Sequence, residues 1–270
     1  MRFLIYLFSF SFGLIVGSFL NCVIYRLHIG KGFLEGRSYC PSCKHMLTWQ
    51  DLIPVLSFLI LRGRCRYCKK PISIQYPLVE FTTGVLFTFI VFQNITSLFY
   101  GSVISSLLNI FFLFLVSCFL IIIFVYDLKH YIIPDKVIYP AILAVASRYL
   151  LADVFLNLYT RDELVNIVYS ALGAGAFFLA IVLFSRGKGM GMGDVKLSFF
   201  MGLLLGFPNI LVALFLSFFI GATVGVILIV LRKRSFKSEV PFAPFLVTGT
   251  FLVMFFSEEI IDYLNLILLK

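Results

Sequence analysis

The sequence predicts an all-α polytopic membrane protein of about eight transmembrane helices, with a small cysteine-bearing loop domain between the first two. Three observations carry that prediction. Apolar residues make up 61% of the 270 positions and charged residues only 13%, against about 45–50% and about 25% in an ordinary soluble domain. The apolar residues fall in long uninterrupted runs, and the basic residues gather in every second connection between them. A soluble domain of this length could not hide so much apolar surface. A disordered chain and a nucleic-acid-binding domain are excluded on the same composition, and the formal charge of +9 belongs to loops.

A spanning helix needs about 20 apolar residues, at a rise of about 1.5 Å each. The first run, residues 3–25, is longer than a signal-peptide core of about 7–15 residues and lacks a small-x-small cleavage site, so it reads as a retained helix. Asn21 before Cys22 argues against lipidation there. A more polar loop, residues 26–75, follows. Further runs occupy 76–92, 102–126, 137–152, 164–184, 197–207, 209–231 and 242–256. The run 197–207 is short and ends at Pro208, which suggests a tilted or incomplete span. Residues 260–269 are too few to cross and are expected in the membrane interface.

Charge sets the orientation. If the first loop is cytoplasmic and all eight runs cross, the cytoplasmic connections are 26–75, 127–136, 185–196 and 232–240. They hold 9, 2, 3 and 4 Lys and Arg, or 18 of the 22 in the chain. Cytoplasmic loops carry that excess in membrane proteins. The opposite side holds the acids Asp153, Asp162, Glu163, Glu258, Glu259 and Asp262, and both termini.

Four of the six cysteines stand in the first loop as Cys40-Pro-Ser-Cys43 and, 21 residues on, Cys65-Arg-Tyr-Cys68. Two residues between cysteines let both thiolates face one ion, and two such knuckles complete a tetrahedral shell for which zinc is the usual occupant. A reducing cytoplasm favours metal over disulfides. Lys44, Arg64, Arg66 and Lys69 would offset the negative tetrathiolate. With four protein ligands no position is open to water, so the zinc is structural. Cys22 and Cys118 lie in apolar runs and read as packing residues.

The chain has only 13 acids, and two stand out. Asp127 follows a long apolar run and opens Asp127-Leu-Lys-His-Tyr-Ile-Ile-Pro-Asp135. Asp194 sits in Gly191-Met-Gly193-Asp194-Val-Lys196, where the sixth run begins. Both fall at the cytoplasmic boundary. Two neighbouring carboxyls share a proton, so one can take a proton from water while the other polarises a peptide carbonyl. Gly191 and Gly193 allow backbone geometry closed to other residues and the close approach of a substrate strand. Asp135, after Pro134, reads as the N-cap of run 137–152, which leaves Asp127 as the reactive partner. Lys129 and Lys196 either snorkel or tune the pair. Glu80 is an interface-level carboxylate or a site residue.

At these positions the chain resembles the bacterial type IV prepilin peptidases, the leader peptidases and N-methyltransferases of the GxGD aspartic class. The resemblance is carried by Gly17-Ser-Phe-Leu-Asn-Cys22, Arg37-Ser-Tyr-Cys40-Pro-Ser-Cys43, Leu52-Ile-Pro-Val-Leu-Ser57, Arg62-Gly-Arg-Cys65, Tyr76-Pro-Leu-Val-Glu80, Asp127 with Ile133-Pro134-Asp135, and Gly191-Met-Gly193-Asp194-Val-Lys196-Leu197. It implies an endopeptidase of the inner membrane that removes the basic leader of prepilins or pseudopilins after a glycine, and N-methylation of the new terminus with S-adenosylmethionine. It implies Asp127 and Asp194 as the catalytic pair, Cys40, Cys43, Cys65 and Cys68 as zinc ligands, and Gly191, Gly193, Lys196 and Glu80 near substrate. Residues 1–100 would then form an N-terminal methyltransferase region and 101–270 a six-helix peptidase core. The partners expected are prepilin precursors and membrane lipid, with no nucleic acid. His28 and Ile74-Gln75 depart from the family pattern, and no Gly-rich dinucleotide fingerprint is present.

Two other functions compete. An ion or proton transporter would use Asp127 and Asp194 as intramembrane charges, but both lie at one boundary. An assembly scaffold would use the zinc loop, which leaves the glycine-framed Asp194 without a purpose.

Overall fold

The computed structural model describes residues 2–32, 36–156, 160–187, 189–231 and 240–268. Among them there is no strand, only two isolated bridges in the cysteine loop. The helices are α1 (Arg2–His28), α2 (Leu56–Ile60), α3 (Gln75–Tyr100), α4 (Val103–His130), α5 (Asp135–Leu156), α6 (Arg161–Phe184), α7 (Met192–Leu205), α8 (Asn209–Val230) and α9 (Ala243–Leu268). The eight apolar runs are α1 and α3–α9. Helices α1, α3, α4, α6 and α8 are long and apolar enough to cross a membrane. The protein is an all-α polytopic membrane protein.

Four elements differ from expectation. Helix α7 starts at Met192, five residues before the expected run, and ends after 14 residues. Its length of about 21 Å is less than the roughly 30 Å hydrocarbon layer. It need not span, because Leu197, Phe200 and Met201 are fully buried in protein. Helix α6 starts at Arg161, three residues before the expected run, while α9 kinks at Phe256 (φ −132°, ψ 25°) and a second helical stretch follows to Leu268. Asp135 does not cap α5. It lies in the first turn, and the first amides turn back to the Pro134 carbonyl (3.1 Å from Ile138).

The chain divides into two compact units, Met1–Ile122 and Ile123–Lys270, with the division inside α4. In the first unit α1 and α3 pack through small residues. A Cβ on Gly13 would lie 2.7 Å from the Gly84 Cα, and one on Gly17 would lie 2.7 Å from the Glu80 Cα. Gly13-x-x-x-Gly17 is thus a close-approach stripe of the kind that replaces hydrophobic drive between helices in lipid. The Phe87 and Phe114 rings stack at 3.8 Å, and Asn109 donates to Asn94 at 3.0 Å, joining α3 to α4.

In the second unit α7 is the central helix. A Cβ on Gly202 would lie 2.5 Å from the Ala171 Cα of α6, and Ser198 donates to the Ala174 carbonyl at 3.3 Å. Gly249 of α9 packs against Ala213 and Ser217 of α8 in the same manner. The Gly202 and Ser198 contacts hold α7, whose first turn carries Asp194, against α6.

Candidate active site and metal centre

The two cysteine knuckles have the same build. Cys40 N–H donates to the His45 carbonyl (2.9 Å) and Lys44 N–H to the Cys40 carbonyl (2.9 Å). Twenty-five residues later Cys65 N–H donates to Lys70 (2.9 Å) and Lys69 N–H to Cys65 (3.0 Å). Lys44 and Lys69 both take left-handed φ, 59° and 60°. Bridges Tyr39–Met46 and Arg64–Pro71 close each knuckle at the same offset. Two braces tie the second knuckle to the segment before it, one to the 49–52 turn and one to the first knuckle. Arg66 of the second knuckle pairs with Asp51 at 2.6 Å, and the His45 and Tyr67 rings meet at 3.7 Å. Burial opposes ionisation of Asp51, but Arg66 and Thr48 hold its carboxyl below the usual carboxylate range.

The four thiol sulfurs lie within 4.8 Å of one another, and Cys40 Sγ is 3.9 Å from Cys68 Sγ. Tetrahedral zinc with Zn–S bonds of about 2.3 Å requires sulfur separations of about 3.8 Å. A disulfide would need about 2.0 Å, and none of the cysteines is so bonded. The donor set therefore fits a structural zinc ion. Burial resists ionisation of Cys40, yet the N–H groups of Cys43 and Ser42, with the thiols of Cys43 and Cys65, bring it down to about 7.

The carboxyl site lies wholly in the second unit. Asp127, on the last turns of α4, is 5% exposed. Its carboxyl accepts from the N–H of Ala243, the first residue of α9. Asp194 is in the first turn of α7 and accepts from Gly191 N–H at 3.2 Å. Each carboxyl is thus seated on a helix N-terminal amide, where free N–H groups and the helix dipole favour an acidic group. Asp194 lies within electrostatic reach of Asp127. Asp135 is elsewhere: its carboxylate is bound to Lys196 Nζ at 2.6 Å, and that ammonium also lies 4.9 Å from the Tyr139 ring.

The glycines act by space, not by unusual dihedral angles. Gly191 has φ −90° and ψ 158°, open to any residue, and Gly193 is helical. A Cβ on Gly193 would lie 3.0 Å from the Ile133 Cβ, and 3.3 Å from its Cγ1 and Cδ1. Ile133 is buried in the α4–α5 connection, six residues after Asp127. Gly193 therefore lets that connection lie against the start of α7. A Cβ on Gly191 would meet nothing nearer than 3.9 Å, so the backbone there is open to an incoming strand.

Glu80 lies in the first unit and is 7% exposed. Its Oε2 accepts from Val55 N–H at 2.7 Å, and Ser18 also bonds its carboxyl. The carboxylate anchors the cysteine loop to α3.

The sequence model of the bacterial peptidase A24 N-terminal domain matches residues 11–94, and that of the type IV leader peptidase family matches residues 114–226. A prepilin leader peptidase/N-methyltransferase of Bacillus subtilis (strain 168) is 31% identical over 94% of this chain and 95% of its own length. The chain belongs to the type IV leader peptidase family. Similar leader peptidases are those of Aeromonas hydrophila, 30% identical over 93% of this chain and 90% of its own, and Legionella pneumophila, 30% identical over 93% and 91%. No solved structure matches the chain.

Sequence reasoning missed three contacts of this leader peptidase: Ala243 on Asp127, Lys196 on Asp135, and Val55 on Glu80. The first had a signal, since Pro241-Phe-Ala-Pro244 before an apolar run marks a helix N-terminus. The knuckle repeat was also visible, as Cys-x-x-Cys-Lys at 40–44 and again at 65–69.

Proposed function

We propose that this chain is a membrane aspartic endopeptidase that removes the basic leader of prepilins or pseudopilins after a glycine, at the cytoplasmic boundary of the inner membrane, and methylates the amine it exposes. The observation that carries this reading is the seating of Asp127 and Asp194 on two helix N-termini of one unit, within reach of each other's charge. The excess of Lys and Arg in alternate loops supports a cytoplasmic face for the cysteine loop and for both aspartates.

The chemistry follows from one shared proton. The ionised carboxylate takes a proton from water, and the hydroxyl oxygen adds to the scissile carbonyl carbon. The protonated partner gives its proton to the carbonyl oxygen. Collapse of the diol breaks the C–N bond, and the amine leaves with a proton from the pair. The open backbone at Gly191 receives the extended cleavage segment by close approach. Lys196 is held by Asp135 and Tyr139, and we assign it to ordering the start of α7 rather than to a chemical step. We assign Glu80 to loop anchoring.

Zinc, held by Cys40, Cys43, Cys65 and Cys68, supplies folding of the loop and no open coordination position. For S-adenosylmethionine, Gly13, Gly17 and Gly84 are not available, being filled by neighbouring helices. Methyl transfer therefore rests on family membership, and no residue is assigned to it.

The test is purified protein in lipid vesicles with a prepilin, with and without S-adenosylmethionine, read by mass spectrometry. The reading predicts a product starting immediately after the leader glycine and a one-methyl gain only with the donor. Cleavage elsewhere, or an intact prepilin, contradicts it.

A further inference from the structure

The cysteine loop carries two features beside its metal ligands. The first is apolar. Helix α2 shows Leu56, Leu59 and Ile60 at 56%, 62% and 75% exposure, and Trp49, in the turn before it, at 73%. The second is cationic. A hollow of about 430 Å³ directly after α2 is lined by Leu61, Arg62, Arg64, Cys65, Arg66 and Lys69. Arg66 is held by Asp51. Among the described residues, Arg62 and Arg64 enter no ion pair and both are exposed.

The anchor at Glu80 ties the loop to α3. Glu80 is five residues into α3 from Gln75, or about 7.5 Å along the helix axis. Val55 N–H is bound to it at 2.7 Å, and α2 starts at the next residue. Val55 has φ 61°, a left-handed conformation unfavourable for a β-branched residue and kept only where the surroundings enforce it. The chain thus passes from its contact with Glu80 directly into α2. An exposed Leu-Leu-Ile face that begins one residue from a contact in the first turns of the apolar helix α3, with arginines just beyond it, has the composition of a membrane-surface segment.

We propose that the cysteine loop docks on the leaflet from which it emerges, with the α2 face in the interface and the Arg62–Arg64 hollow bound to anionic phospholipid headgroups. Apolar burial with adjacent cations is the combination that binds an anionic membrane surface. The proposal uses only the membrane-spanning character of α1 and α3 and is independent of the peptidase reading.

Trp49 is the single tryptophan of the chain, which makes a clean test possible. The full chain carrying Trp49→Phe and Leu59→Trp is reconstituted into phosphatidylcholine vesicles with or without phosphatidylglycerol. Brominated acyl chains report contact with lipid, and acrylamide reports contact with water. Docking predicts lipid quenching and acrylamide protection of the new indole, both stronger with phosphatidylglycerol. Arg62→Gln should lower the docked-to-free ratio by about fivefold, with zinc content unchanged as evidence of an intact loop. Equal acrylamide access in every vesicle overturns the proposal. So does lipid quenching indifferent to phosphatidylglycerol, or loss of the effect with millimolar inorganic phosphate, which marks a soluble-anion pocket. Burial against a second copy, seen as crosslinking without lipid quenching, overturns it too. Prepilin cleavage is not read, so the outcome is separate from the activity.

Discussion

Replacing Gly193 with Ala tests how the aspartates are brought together. The added Cβ would lie 3.0 Å from the Ile133 Cβ and 3.3 Å from two further atoms of that side chain, where carbon pairs prefer about 3.5–4.0 Å. Ile133 is 6% exposed and has little room to retreat, so relief falls on the α4–α5 connection. Overpacking of this kind costs about 1–3 kcal/mol. A shift of about 1 Å between reacting groups costs about 10²-fold in rate. The contacts call for a movement of a few tenths of an ångström, well short of that, so we expect Gly193→Ala to lower kcat/KM for leader cleavage by about 10-fold, with the helix content and zinc unchanged. Adding Ile133→Ala removes the Cγ1 and Cδ1 contacts and should restore at least part of the loss. Gly191→Ala has no such clash, so its loss should appear in substrate binding with no change in stability. A fully active Gly193→Ala enzyme, or a double variant no better than the single, would refute the reasoning.

Three further outcomes follow from the same structure. Metal analysis should give about one zinc per chain, lost on Cys40→Ser together with protease resistance of the loop. Asp51 has a folded-state pKa below its ordinary value. Its stabilisation of the loop should be present above the unfolded carboxylate range and vanish as pH falls through the folded value. Asp51→Asn should abolish that acid-dependent component in a pH-resolved proteolysis assay. Gly17→Leu, whose first added atom would lie 2.7 Å from the Glu80 Cα, should separate α1 from α3 and lower the unfolding temperature in detergent; an unchanged transition argues against the glycine stripe.

Much of this was legible in the residues because lipid imposes simple patterns. Runs of 11 to 25 mostly apolar residues mark the helices, and the eight runs recur as α1 and α3–α9. Cys-x-x-Cys repeated at 21 residues' distance fixes a tetrathiolate, because few other structures need it. What was not legible depends on packing between distant segments. The span behaviour of α7 could not be read from 11 apolar residues, since only its neighbours show that Phe200 and Met201 face protein. Asp135 looked like a cap by its place after Pro134, but Lys196, 61 positions away, holds its carboxylate. The start of α6 was read too late, because Thr160 and Glu163 form a reciprocal capping box ahead of the apolar run. The glycines of Gly191-Met-Gly193 suggested rare dihedral angles, whereas one is needed for contact with Ile133 and the other is merely open.

The central claim is a catalytic pair made of Asp127 and Asp194. It is tested most directly by leader cleavage in vesicles with Asp127→Asn and Asp194→Asn, two isosteric changes that leave each side chain able to accept from Ala243 or Gly191 N–H. Each variant should retain its zinc, its helix content and its binding of prepilin, and each should lose cleavage entirely. Wild-type cleavage by either variant would remove that residue from the pair and contradict the account.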